Sequence, residues 1–129
     1  MRLYRSLKGV SPSLKSMGAA ASQIKRGAGV YLDTAGKVSP AAGNKKPDGI
    51  ALADVEAGGE VLAQIVTEDC EYFIGLADGT AASDIAAGNA YTLSADGVSL
   101  EKTSGSAVIA DRAYEDGFIV RFTKPSSAS

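Results

Sequence analysis

From residue 29 onward, apolar residues fall in short runs with period-two alternation, separated by turns bearing glycine and aspartate. Val30-Tyr31-Leu32 reads as a strand, Asp33-Thr34-Ala35-Gly36 as a turn, and Lys37-Val38-Ser39 as the return strand. Residues 40–47, with a proline at each end and Gly43-Asn44 inside, read as a loop. Residues 50–53, an acidic connector closed by Gly58-Gly59, and residues 60–67 predict strand, turn, strand. In the last of these, Val61, Ala63 and Ile65 alternate with Leu62, Gln64 and Val66. Both faces carry apolar groups, so the pattern predicts a central strand buried on both sides. Residues 72–76, 90–93, 98–100, 107–110 and 118–123 continue the series, and 77–87 reads as a loop with one helical turn. Such spacing predicts an all-β fold, a compact β-sandwich or barrel of about eight or nine short strands.

The series repeats itself. Val30-Tyr31-Leu32, a turn with Gly36, then Val38 resembles Ala90-Tyr91-Thr92-Leu93, a turn with Gly97, then Val98. Ile50-Ala51-Leu52-Ala53-Asp54 resembles Ala107-Val108-Ile109-Ala110-Asp111. Each is followed by an acidic turn, at Gly59 or Gly117, and a further strand. The offsets between matched positions lie between 57 and 61 residues. The implied plan is one four-strand unit used twice, forming two sheets that close on each other and hide their apolar faces.

The first 28 residues follow a different period. Leu3, Leu7, Val10, Leu14, Met17, Ala21 and Ile24 recur at alternating steps of four and three, the spacing of a helix. Gly9 and Pro12 interrupt it. Ser11 as N-cap, Pro12 at the first helical position and Gly27 beyond the end predict a short helix over residues 12–26, after an extended or partly helical tail. The competing reading is a disordered tail. The chain thus divides into an arm (1–28), a β-domain (29–124) and a tail (125–129).

Charge sharpens this division. The arm holds Arg2, Arg5, Lys8, Lys15, Lys25 and Arg26 and no acid, a net +6; the other seven bases against all 15 acids leave −8 in the remainder. These six cations are the candidate partner-binding residues. They suit a protein with an acidic surface, or the acidic body of a neighbouring copy. Nucleic acid is not the expected partner, because Tyr4 is the arm's one aromatic and the acidic body repels phosphate. No stretch reaches the length of a membrane span, and no apolar segment follows the basic start as in a signal peptide. With one cysteine, no internal disulfide forms, and synthesis in the cytosol is expected.

Candidate chemistry is sparse. With no histidine, there is no Ser-His-Asp or Cys-His arrangement and no imidazole ligand. Cys70 stands between Asp69 and Glu71, whose charges disfavour a thiolate. Glu68, Asp69 and Glu71 could gather a hard cation but lack the alternating oxygen-ligand loop of a calcium site, and a solvated turn is the competing reading. Asp54 with Glu56, and Glu115 with Asp116, read as turn formers ahead of glycine and not as acid/base pairs. No glycine pattern matches a phosphate-binding loop. The expectation is a non-enzymatic protein with no catalytic residue, metal or cofactor.

The order Gly29-Val30-Tyr31-Leu32, Pro47-Asp48-Gly49-Ile50-Ala51-Leu52, Gly58-Gly59-Glu60-Val61, Ala87-Gly88-Asn89-Ala90-Tyr91, Val108-Ile109-Ala110 and Asp116-Gly117-Phe118-Ile119-Val120-Arg121-Phe122 resembles tailed-bacteriophage capsid decoration, or head cement, proteins. The resemblance covers residues 29–123; the basic arm departs from the shorter entry strand of that family. It implies a β-rich module, commonly trimeric, bound to the major capsid protein on the outer surface of the virion and cross-linking capsomers. Residues 1–27 would then clamp the module to the capsid, and their deletion would leave the β-body folded. The alternative is a virion-associated binding module, such as a head-fibre base or a host-glycan-binding domain.

Overall fold

The computed structural model describes residues 1–7, 9 and 12–122. In it the chain forms eleven strands, β1(Arg2–Ser6), β2(Leu14–Ala19), β3(Gly29–Leu32), β4(Val38–Pro40), β5(Gly49–Ala51), β6(Glu60–Ile65), β7(Cys70–Leu76), β8(Ala90–Leu93), β9(Ser99–Ser104), β10(Val108–Tyr114) and β11(Gly117–Arg121), with one 3-10 turn at Ala82–Asp84. The all-β class is as the alternation predicts, and the β-domain from residue 29 contributes nine of the strands.

The two sheets share one plan. Five strands run in the order β2-β6-β5-β3-β4; five of the other sheet's six run β7-β11-β10-β8-β9. The predicted four-strand repeat is therefore a five-strand repeat, with β2 matching β7. Each set curls until its ends meet through a parallel pairing. In the second, β7 meets β9 at Gly75 with Ser99 and Leu76 with Leu100, closing a barrel. In the first, the seam is one parallel bridge, Ala20 to Val38, with the Ala21 N–H donating to the Val38 carbonyl at 2.8 Å. Where the sequence predicts two sheets sharing one core, each sheet has a core cluster of its own. Val30, Val38, Val61 and Ala63 fill the first, and Tyr72, Leu93, Leu100 and Val120 the second. The barrels are nonetheless knit together, because Ala41 and Ile50 of the first half belong to the second core.

The repeat extends to its glycines. Gly27 (φ +84°) and Gly88 (φ +88°) each donate a backbone N–H to the carbonyl of an alanine in the fourth strand of their unit, Ala51 in β5 and Ala110 in β10. Gly36 (φ +78°) and Gly97 (φ +74°) each close the first hairpin, in the left-handed region that glycine enters without steric cost.

Two expectations from the sequence are corrected. Residues 12–26 form no helix: 14–19 are strand β2, paired antiparallel with β6, and Ala20, Ile24 and Ala28 are buried in the first core. The four-three spacing of apolar residues is coincidental here, because Gly18 (φ +129°) and the β-bulge between Ser16 and Gly18 reset which side chains face inward. The proposed N-cap, Ser11, lies outside the described residues. The arm is accordingly part of the β-body: its Ile24 is bridged to Val55 by two backbone hydrogen bonds of 2.8 Å. Second, β6 is central in its sheet but not buried on both faces. Val61 and Ala63 point into the core, whereas Leu62 is 48% exposed.

Candidate partner-binding surface

Strand β1 has no counterpart in the repeat. It lies antiparallel along the first half of β7, on the edge whose second half pairs with β9. Its pairing runs Arg2 with Phe73, Leu3 with Tyr72, Arg5 with Glu71 and Ser6 with Cys70, so Tyr4 is an extra, bulged residue. Strict alternation would put Leu3 and Arg5 on one face. The bulge turns Arg5 outward while Leu3 stays against the core. A second bulge, at Asp111 in β10, does the same for Arg112: Ala110 pairs with Val120 facing inward, and Arg112 pairs with Ile119 facing outward.

The two bulges aim two guanidiniums at one carboxylate. Arg5 Nε lies 2.5 Å from Glu71 Oε1, and Arg112 Nη1 lies 3.2 Å from Glu71 Oε2 and 2.6 Å from Asp111 Oδ2. The Glu71 side chain is only 5% exposed. Burial alone would raise its pKa, but the hydrogen bonds from Arg112 and Arg5 outweigh it and hold the carboxyl at about 2. The same partnership raises the pKa of Arg112. To reach β7, the Arg112 side chain crosses β11 over Ile119, which is fully buried although it points away from the barrel core.

Aromatic rings surround this ion cluster. Tyr4 and Tyr114 meet edge to face at 5.1 Å, and Phe73 lies 6.0 Å from Tyr114. Arg2 sits 4.8 Å above the Phe73 ring and Arg112 5.6 Å from that of Tyr4, within the range of cation–π attraction. The Tyr114 hydroxyl is held above its ordinary pKa, chiefly by the charge of Glu115 and then by Tyr4. The outer face of β1-β7-β11-β10 is thus a patch of arginine and aromatic side chains in mutual contact.

The six sequence-predicted cations do not form one surface. Arg2 and Arg5 belong to this patch. Lys8 lies outside the described residues. Lys15 lines a separate cleft of about 300 Å³ with Met17, Leu32 and Ile65. Lys25 pairs with Asp96 of the second barrel at 3.0 Å. Arg26 shares with Arg2 a cleft of about 400 Å³ between the barrels. Its floor includes the amino terminus, which donates to the Gly27 carbonyl at 2.8 Å and whose pKa is lowered by burial and then by Arg2.

Sequence reasoning missed Tyr4, Phe73, Arg112 and Tyr114 and treated Glu71 as part of an acidic turn. The available signal was Glu71 itself, an acid inside an apolar strand. Among the described residues, no three acidic or thiol groups converge as a metal site. Glu71 faces away from Cys70, which is buried in the core and accepts a hydrogen bond from the Thr67 hydroxyl at 3.2 Å. Asp54 is a backbone anchor, accepting from the Arg26 N–H at 2.7 Å.

Compared with known proteins, the chain matches no family model and no curated protein.

Proposed function

We propose that this protein is a structural component of a virion, a decoration protein that binds the major capsid protein on the outer surface of a phage capsid and stabilises contacts between capsomers. It would act as a homo-oligomer, with a trimer as the state that the family resemblance implies. The observation that carries this reading beyond the resemblance is the outer face built by β1. Arginine and tyrosine are the residue types that dominate the energetics of protein interfaces. Here they are held in fixed positions by Glu71 and by one another, so little side-chain entropy is lost when a partner covers them. The duplicated barrel supplies the rigid support. The work is done by buried interface area and not by bond-making.

The test is sedimentation with purified capsids. The protein is expected to travel with particles in copy numbers that are multiples of three per local symmetry site. The Tyr4→Ala/Tyr114→Ala variant, still folded, is expected to be lost from them. A wild-type protein absent from particles would overturn the proposal. A second reading, a host-glycan-binding module, draws on the three aromatic rings of the same face, since sugars stack on aromatic surfaces. An array of host glycans with no binding removes it.

A further inference from the structure

The cleft between the barrels carries an inference that rests on the proposed function for its partner and goes beyond it in assigning a site. Its walls come from both halves of the chain: Leu3 of β1, Arg26 and Leu52 of the first barrel, and Phe73 of the second. No acidic residue lines it. Arg5, Lys25 and Arg112 are each neutralised by a carboxylate. Arg2 and Arg26, by contrast, pair with no carboxylate among the described residues. Arg2 is fixed over Phe73 at 4.8 Å, and the Arg26 backbone is fixed by Asp54 at 2.7 Å while its guanidinium is left available. Two uncompensated cations therefore flank an apolar hollow on a body whose charge from residue 29 onward is −8. Against that net negative background, the two cations make this cleft a favoured place for an acidic ligand.

We propose that the cleft between the two barrels binds an acidic segment of a partner protein, with carboxylates against Arg2 and Arg26 and an apolar side chain against Leu3, Leu52 and Phe73. At about 400 Å³ the hollow is far larger than a lone inorganic anion, and its apolar walls gain nothing from one. Gln64, also in its lining, offers both a donor and an acceptor to an extended peptide backbone. A segment with acidic residues flanking one large apolar residue satisfies all three features; a small phosphate or a simple fatty carboxylate satisfies only some.

The experiment is an NMR titration of the isotopically labelled full chain with a short capped peptide in which Glu residues flank a single Leu. Parallel arms use the same peptide with Gln for Glu, octanoate, and inorganic phosphate. The expected result is that signals of Leu52 and Phe73 and the side chains of Arg2 and Arg26 move with the Glu peptide and not with its Gln counterpart. The Arg2→Gln/Arg26→Gln variant is expected to bind about tenfold more weakly or worse. Arg26→Gln alone leaves β1 untouched and is expected to lose several-fold, which guards against an effect on folding. Unchanged binding by these variants, or binding of octanoate or phosphate at least as tight as that of the peptide, overturns the proposal. Capsid sedimentation separates the two readings. If the double variant loses the peptide but still travels with particles like wild type, the cleft is not the capsid contact and the inference falls while decoration stands. If wild type binds the peptide but never travels with particles, decoration falls and the cleft stands as an acidic-peptide site.

Discussion

Replacing Glu71 by glutamine should make stability depend on pH in a specific way. The substitution keeps the shape and the hydrogen-bonding reach of the side chain and removes its charge. In the folded protein Glu71 titrates at about 2, against an ordinary value of 4.5. At 1.36 kcal/mol per unit, that depression corresponds to about 3 kcal/mol of stabilisation by the ionised form. The partners temper it: the Arg5 and Arg112 side chains are 58% and 42% exposed, so water and salt screen the pairs. A net contribution of about 1–2 kcal/mol is the expectation. Because the folded pKa is depressed, the contribution is fully present above the unfolded value of 4.5 and is lost as pH falls toward 2. Urea unfolding followed by tyrosine fluorescence, in a chain with five tyrosines and no tryptophan, measures it. Glu71→Gln should lower stability by about 1–2 kcal/mol at pH 7, and the gap between variant and wild type should close between pH 4.5 and pH 2. Carboxylates remote from the cluster titrate alike in both proteins; Asp111, which shares Arg112 with Glu71, does not, so the same comparison in an Asp111→Asn background isolates Glu71. Equal midpoints at pH 7, or a gap that persists unchanged at pH 2, would refute the reasoning.

Three further outcomes follow from the repeat. Gly97→Ala should destabilise far more than Gly36→Ala. Both hairpin glycines have positive φ, but a methyl at Gly97 would lie 2.6 Å from the Gly29 carbonyl oxygen, whereas one at Gly36 meets nothing within 4 Å; about 1 kcal/mol is expected for Gly36→Ala and at least twice that for Gly97→Ala, and matched urea midpoints would count against the close approach. Ile24→Ala should cost about 2–5 kcal/mol, because the side chain is fully buried in the first core; a loss below 1 kcal/mol, read by the same unfolding, would mean that the segment is not part of that core. Deleting residues 1–27 should abolish hydrogen-exchange protection of β3–β6, since β2, Ala20 and Ile24 leave with it, whereas deleting only residues 1–7 should keep both barrels protected; retained protection in the longer deletion would restore the idea of a separable arm.

The β-domain was legible from its pattern because the signals there are local. Period-two runs such as 90–93 and the Asp-Gly turns specify strand and hairpin without reference to the rest of the chain. The duplication was legible for the same reason: Gly36 and Gly97 occupy the same turn in each unit, and the backbone demands glycine at both. The arm misled because its four-three apolar spacing is a real helical pattern in one dimension. What overrode it is the open edge of β6, which gains a full row of hydrogen bonds from an extended neighbour, together with a helix too short and too rich in glycine and serine to hold by itself.

The sequence by itself determined that the chain is β-rich, internally repeated and basic at its start, since each of these is carried by neighbouring residues. Tertiary structure alone decided that each sheet closes on its own core, because closure depends on the parallel seams between β7 and β9 and between Ala20 and Val38, across 18 or more residues of chain. It alone also built the arginine–aromatic face. Tyr4 and Asp111 each add one residue to a strand, and each addition reverses the side on which the following arginine emerges. No alternation pattern registers such a shift. Only the paired strand shows that Arg5 and Arg112, 107 positions apart, point at the one buried carboxylate between them.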